Sequence, residues 1–90
     1  MGYQNYRNMQ VQTELTQQAE NKANSLGLFK RLNKKLELFR ANTRHPSLNL
    51  ELLEPKHLGI WSIRINKQYR ALLIKTEPDK WNIIDVTDYH

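Results

Sequence analysis

Residues 59–75 read GIWSIRINKQYRALLIK, in which apolar and polar side chains alternate on both sides of Asn66-Lys67. Successive side chains of an extended chain point to opposite faces, so every second residue from Trp61 to Ile65 shares one face. Asparagine tolerates the positive φ that a two-residue hairpin turn favours. The segment therefore predicts two antiparallel strands, residues 59–66 and 68–75, joined by a tight turn.

The segments on either side of this hairpin extend the pattern. Downstream, Glu77-Pro78-Asp79-Lys80 predicts a second turn and residues 81–90 predict a third strand, which completes an antiparallel meander. Upstream, residues 28–41 carry apolar side chains at helical spacing, and Pro46 requires this helix to end before it. Thr16 predicts the N-cap of an earlier, narrower helix.

The chain has 90 residues, and we expect residues 1–90 to form a single domain with residues 1–8 as a flexible tail. The predicted fold class is α+β, with two N-terminal helices packed on an antiparallel sheet of three or four strands. A fourth strand depends on the weak alternation of residues 9–14, which indicates a short strand at the sheet edge.

The composition is that of a globular chain, with 39% hydrophobic and 26% charged residues. There is no cysteine, no apolar run long enough to span a membrane and no leader pattern, so the sequence predicts a cytoplasmic protein with no membrane contact. The three histidines lack the spacing of a metal site, and we predict neither a metal nor a cofactor.

The net charge of +5 comes from one segment. Residues 28–45 carry six basic side chains against Glu37 alone, and the rest of the chain is balanced. This pattern is typical of nucleic-acid binding, because cations that contact phosphates release counterions; a solvated helix face is the alternative interpretation. The candidate RNA-binding residues are Lys30, Lys34, Lys35, Arg40, Arg44, Lys56 and Arg64.

The terminal Asp88-Tyr89-His90 closes a strand that follows the hairpin bearing Arg64 and Arg70, so these groups can meet in one place. Metal-free RNA cleavage needs a group that takes a proton from a 2′-hydroxyl, a group that protonates the leaving 5′-oxygen, and a cation for the phosphorane charge. Arg70 can hold two phosphate oxygens, and the imidazole of His90 can carry a proton. The alternatives are an ordinary ion pair of Arg70 with an aspartate of the last strand, and a frayed C-terminus.

Three motifs carry a resemblance to a known family. They are Arg44-His45-Pro46-Ser47-Leu48, the hairpin residues 59–70 with their Trp-Ser-x-Arg-Ile-Asn sequence, and the terminal Asp-Tyr-His. From Thr16 to His90 the chain resembles the RelE/ParE toxin superfamily of bacterial toxin–antitoxin systems, whereas residues 1–15 match it poorly.

The resemblance implies an mRNA interferase of the YoeB-like or HigB-like branch. Such a toxin is an endoribonuclease that acts on message in the ribosomal A site and is held inactive by a cognate antitoxin, here an acidic one, in a complex that contains the toxin as monomer or dimer. Carried over residue by residue, the catalytic set falls on Arg70, Asp88, Tyr89 and His90. Glu54 is a second-tier member, because the loop that follows it is shorter than in the YoeB-like pattern.

Two other functions are compatible with the same resemblance. A ParE-like DNA gyrase inhibitor needs no nuclease residues and would make the Asp-Tyr-His ending incidental. A binding module with a toxin fold and no catalysis is the other, although the basic helix and Arg70 are both retained in this chain.

Overall fold

The computed structural model describes residues 10–88. In chain order, its elements are β1 (Gln12–Leu15), α1 (Gln17–Ser25), α2 (Phe29–Ala41), a 3-10 turn (Pro46–Leu48), β2 (Glu51–Leu52), a second 3-10 turn (Lys56–Leu58), β3 (Ile60–Arg64), β4 (Tyr69–Glu77) and β5 (Lys80–Asp88). The predicted tail at residues 1–8 and the last two residues, Tyr89 and His90, lie outside the described part of the chain.

The five strands form one sheet in the order β1-β5-β4-β3-β2. All neighbours are antiparallel except β1 and β5, which run parallel with Gln12 opposite Lys80 and Leu15 opposite Ile83. The α+β class is confirmed, but the predicted antiparallel sheet of three or four strands is wrong, and β1 precedes both helices. The short edge strand predicted from residues 9–14 is present as β1. Its parallel pairing with β5 and the two-residue β2 depend on contacts with other segments, which local periodicity does not record.

The connection between β3 and β4 also differs from the prediction. It spans residues 65–68, so the predicted two-residue turn at Asn66-Lys67 is wrong. Among the described non-glycine residues, only Asn49 has a positive φ. Asn66 acts through its side chain instead, because its Oδ1 accepts the backbone N–H groups of Gln68 and Tyr69, both at 2.8 Å.

The core lies between the two helices and one face of the sheet. The predicted apolar face of α2 supplies Leu32, Leu36 and Phe39, all of which are buried. The Phe39 ring meets Trp81 edge to face with centroids 5.2 Å apart, and Trp81 meets Trp61 in the same way at 5.7 Å. Burial of these large rings removes much apolar surface from water and fixes α2 on the sheet.

A β-bulge interrupts the pairing of β4 with β5. Leu72 lies opposite Asp85, whereas the next residue of β4 lies opposite Ile83. The extra residue reverses the alternation, so Val86 is buried together with Ile83, although the sequence predicts these two side chains on opposite faces. Beyond the bulge, each side chain of β5 therefore points to the face opposite to the one that simple alternation from Trp81 would give it.

The start of α1 is tied to the sheet by the residue predicted to cap it. The Oγ1 of Thr16 accepts the N–H of Ala19 at 3.2 Å and donates to the carbonyl of Ile83 at 3.0 Å. The backbone N–H of Thr16 donates to the same carbonyl at 3.0 Å. One side chain thus caps the helix and joins it to the centre of β5, which confirms the predicted N-cap.

We expect Thr16→Ala to lower the free energy of unfolding by about 1–2 kcal/mol, because the variant loses both the cap and the hydrogen bond to β5. Thr16→Ser keeps the hydroxyl and should retain most of the stability. Urea denaturation followed by circular dichroism measures both variants. An alanine variant as stable as the parent would contradict the role given to this hydroxyl.

Candidate functional site

Arg70 of β4 donates hydrogen bonds to Ser62 and to Glu51. Its Nη1 donates to the Oγ of Ser62 at 2.8 Å, and its Nη2 donates to the Oε1 of Glu51 at 3.0 Å. Ser62 is fully buried, whereas the side chains of Arg70 and Glu51 are 12% and 51% exposed. The guanidinium therefore lies across β3, with one end fixed in the protein and the other end at the surface.

The register of the sheet brings this group to one face. Glu51 lies opposite Ser62 in the pairing of β2 with β3, and Arg64 lies opposite Arg70 in the pairing of β3 with β4. Ser62 and Arg64 are two residues apart in one strand, so they point the same way. That face is opposite to the one on which Ile63 joins the helical core.

The direct opposition of Arg64 and Arg70 is unfavourable for the sheet itself, because like charges at paired positions repel each other. Two guanidinium groups side by side are well suited to an anion with several oxygens, such as a phosphate, which can accept hydrogen bonds from both. The pair is therefore a candidate phosphate-binding site.

A basic cleft of about 880 Å³ adjoins Arg64, one member of this pair. It lies between the N-terminal half of α2 and the connection from β3 to β4, and Arg64 is part of its wall. Six of its lining side chains are cationic and none is acidic. These six are Lys30, Arg31, Lys34, Lys35, Arg64 and Lys67.

The remaining predicted RNA-binding residues lie elsewhere. Arg40 donates from Nη1 to the Oγ1 of Thr13 at 2.8 Å and so ties α2 to β1. Arg44 is exposed in the loop after α2, and Lys56 is exposed on the second 3-10 turn. The cleft therefore gathers Lys30, Lys34, Lys35 and Arg64 from the predicted set and leaves these three outside its wall.

The predicted catalytic residues Arg70 and Asp88 do not come together in one site. Asp88 lies opposite Tyr69, and Thr87 lies opposite Arg70, so the strand register puts Asp88 on the other face of the sheet from Arg70. Together with Lys22 and Tyr69, Asp88 lines a separate cleft of about 330 Å³. Tyr89 and His90 lie outside the described residues, so their positions stay predictions.

The two glutamates before β3 differ in position. Glu54 is exposed in the loop that follows β2, at a cis peptide bond with Pro55. Glu51 contacts the guanidinium directly, yet sequence reasoning missed it, because nothing local to residues 49–54 records the pairing of β2 with β3. Ser62 could have been found from its alternation with Arg64, and the basic segment already included Arg31.

Within residues 10–88, no three histidine or carboxylate side chains converge in a way that would hold a metal ion. In the same part of the chain, neither helix has the length and apolar character needed to cross a membrane.

The chain matches no protein-family model. It is 46% identical over 61 residues to an uncharacterized protein of Haemophilus influenzae, an alignment that covers 61% of this chain and 59% of the relative. The chain thus spans less than two thirds of the length of this curated relative, whose description gives no activity.

Solved structures resemble the whole described fold. A YoeB/ParE toxin from Agrobacterium tumefaciens has a TM-score of 0.68 at 13% identity and covers 89% of this chain and 100% of its own. The toxin in the heterotetrameric YoeB–YefM toxin–antitoxin complex of Staphylococcus aureus has a TM-score of 0.65 at 20% identity, with 89% and 97% covered. A chain of the E. coli DinJ–YafQ toxin–antitoxin complex has a TM-score of 0.66 at 13% identity, and the match covers 88% of this chain and 92% of the other. The chain has the fold of these toxins, and the resemblance to the RelE/ParE superfamily is confirmed at the level of the fold.

The basic cleft should bind single-stranded nucleic acid through its phosphates. Replacing Lys34 and Lys67 together by glutamine should weaken binding of a short single-stranded oligonucleotide. It should also make the dependence of the association constant on salt less steep. The negative slope of its logarithm against the logarithm of the salt concentration should decrease in magnitude by about 1.4, since each lost phosphate contact on a single strand removes about 0.7. Fluorescence anisotropy at several salt concentrations measures both quantities.

The charge-matched control replaces Lys75 and Lys80, at the far end of β4 and β5, by glutamine. An equal loss of affinity and slope in this control would mean that net charge, not the cleft, determines binding.

Proposed function

We propose that this chain is the toxin of a toxin–antitoxin pair and a ribosome-dependent endoribonuclease, which cleaves message by attack of a 2′-hydroxyl without a metal ion. The observation that carries the proposal is the continuity of two features. Arg64 both lines the basic cleft and lies opposite Arg70, whose guanidinium is fixed by Ser62. A strand of RNA held by its phosphates in the cleft would therefore present a phosphodiester to the two arginines.

In the proposed reaction, the 2′-oxygen attacks phosphorus and the bond from phosphorus to the 5′-oxygen breaks. The products are a 2′,3′-cyclic phosphate and a free 5′-hydroxyl. Arg70, with Arg64 beside it, stabilises the additional negative charge of the phosphorane, an effect that is typically large in a site that water enters poorly. The bond from Arg70 to the buried Ser62 supports this role, because it orients the guanidinium before substrate binds.

Two proton transfers complete the cycle. By resemblance, a glutamate before the hairpin takes the 2′-hydroxyl proton. Glu54 is the candidate from the sequence, and Glu51 is the candidate from its contact with Arg70. The C-terminal Tyr89 and His90 stay candidates for the return of a proton to the 5′-oxygen, with the imidazole of His90 suited to it near neutral pH. Asp88, the third predicted member of this group, lies on the other face of the sheet from Arg70 and is left out of this step.

The proposed partners follow from charge and from the toxins of like fold. The YoeB of S. aureus and the YafQ of E. coli have been solved in complexes with antitoxins. An acidic antitoxin segment would neutralise the cleft, and the other proposed partners are the ribosome and its message in the cytoplasm. The half-buried Ile60, Leu72 and Ile74, on the face of Arg70, offer such a segment apolar contacts.

We expect Arg70→Ala to slow cleavage of ribosome-bound message by about a hundredfold or more, because one group that stabilises the transition state contributes roughly 2–4 kcal/mol. Single-turnover cleavage on programmed ribosomes measures the rate. Lys80→Ala, a basic residue at the far end of the sheet, serves as the control and should cleave at the parental rate.

A near-parental rate for Arg70→Ala would remove Arg70 from the proposed mechanism. A parallel DNA gyrase supercoiling assay tests the ParE-like alternative, which requires inhibition of gyrase by the parental protein and by both variants alike.

A further inference from the structure

We infer that Glu51 is a displaceable occupant of the Arg70 anion site, which a phosphate group replaces on binding, while Ser62 is the fixed anchor of the guanidinium. The inference deepens the proposed function by assigning two residues to the control of that site. It depends on the proposed function only for the identity of the phosphate as part of an RNA strand.

The anchor is defined by burial. Ser62 lies in β3 between two paired strands, with Glu51 opposite on one side and Leu72 on the other. Its side chain is fully buried, and its Oγ lies 2.8 Å from the Nη1 of Arg70. A buried hydroxyl needs a hydrogen-bond partner, so this contact is costly to break and should persist when the other end of Arg70 changes partner.

The displaceable contact has the opposite character. Glu51 is half exposed and belongs to β2, a two-residue strand at the edge of the sheet. Its carboxylate meets the guanidinium through one bond, at 3.0 Å from Nη2. Ion pairs with this degree of exposure contribute little to stability, and short edge segments open at low free-energy cost.

A phosphate competes well for this position. Its oxygens can accept two parallel hydrogen bonds from the guanidinium fork, whereas Glu51 accepts one. Arg64, directly opposite Arg70, adds attraction for the incoming anion. The phosphate and the Glu51 carboxylate repel each other, so binding of one requires withdrawal of the other.

This exchange has two consequences for the molecule. Without nucleic acid, the carboxylate of Glu51 neutralises Arg70 and lowers the affinity of the site for stray anions. When a phosphate binds, the same carboxylate is released beside it. Affinity for RNA therefore includes the free energy needed to separate Glu51 from Arg70.

The test uses the full chain and an all-deoxy single-stranded oligonucleotide, which lacks the 2′-hydroxyl and so cannot be cleaved by the proposed reaction. Glu51→Gln keeps an acceptor for Nη2 but removes the charge. We expect it to bind the oligonucleotide about twofold to fivefold more tightly than the parent in fluorescence anisotropy. Glu51→Ala should show at least as large a gain.

The matched control is Glu37→Gln, which removes the one acidic charge of the basic segment, on α2 itself. Its increase in affinity for the oligonucleotide should be clearly smaller than that of Glu51→Gln, since it changes only the net charge of the protein and not a contact of Arg70. Ser62→Ala in the Glu51→Gln background should abolish the gain, and Ser62→Thr should restore it. Circular dichroism identifies any variant that fails to fold.

Equal increases in affinity for Glu51→Gln and Glu37→Gln would contradict the replacement of Glu51 by a phosphate, because the change in net charge alone would then explain both. Weaker binding by Glu51→Gln would overturn it as well, since Glu51 would then support the site. Because the oligonucleotide cannot be cleaved, a positive result stands even if the parental protein cuts no message. If the parental protein cleaves message but Glu51→Gln binds the oligonucleotide no more tightly than the parent, the proposed function stands. The replacement of Glu51 by a phosphate is then contradicted.

Discussion

The side chain of Asn66 holds the connection between β3 and β4 through two bonds of 2.8 Å to the backbone, and the pairing that follows has Arg64 opposite Arg70. A slip of one residue in this pairing would move every side chain of one strand to the other face. Arg70 would then enter the core beside Ile63, and Ser62 would lose its partner. The candidate site therefore depends on the register of one hairpin.

The register also places Arg64 where two regions of the protein meet. The connection from β3 to β4 forms one wall of the basic cleft, and the lysines of α2 form the other. The Phe39–Trp81–Trp61 ring contacts hold the C-terminal half of α2 against the sheet, beyond the part of the helix that lines the cleft.

Much of this arrangement could be predicted from the sequence, because it is local. Alternation gave β3 and β4, helical spacing gave α2, and a hydroxyl before a polar helix gave the cap at Thr16. The turn at Asn66-Lys67 is a local feature that was predicted wrongly, because Asn66 acts through its side chain. The other missed features depend on contacts between distant segments. They are the parallel pairing of β1 with β5, the bulge opposite Leu72, and the contact of Glu51 with Arg70.

The bulge has the largest effect on the site prediction. Simple alternation from Trp81 would put Thr87 on the core face and Asp88 on the face of Arg70, and the bulge exchanges them. The basic residues of the site were easier to predict, because a concentration of charge in residues 28–45 is visible without knowledge of pairing. The acidic partner was not, because one glutamate among several carries no local mark.

The most direct measurement is primer extension on a translating message after addition of the parental protein, with analysis of the ends produced. The account predicts cuts within the codon in the ribosomal A site, an upstream fragment ending in a 2′,3′-cyclic phosphate and a downstream fragment beginning with a 5′-hydroxyl. Intact message on stalled or elongating ribosomes, or ends of any other chemistry, would contradict it.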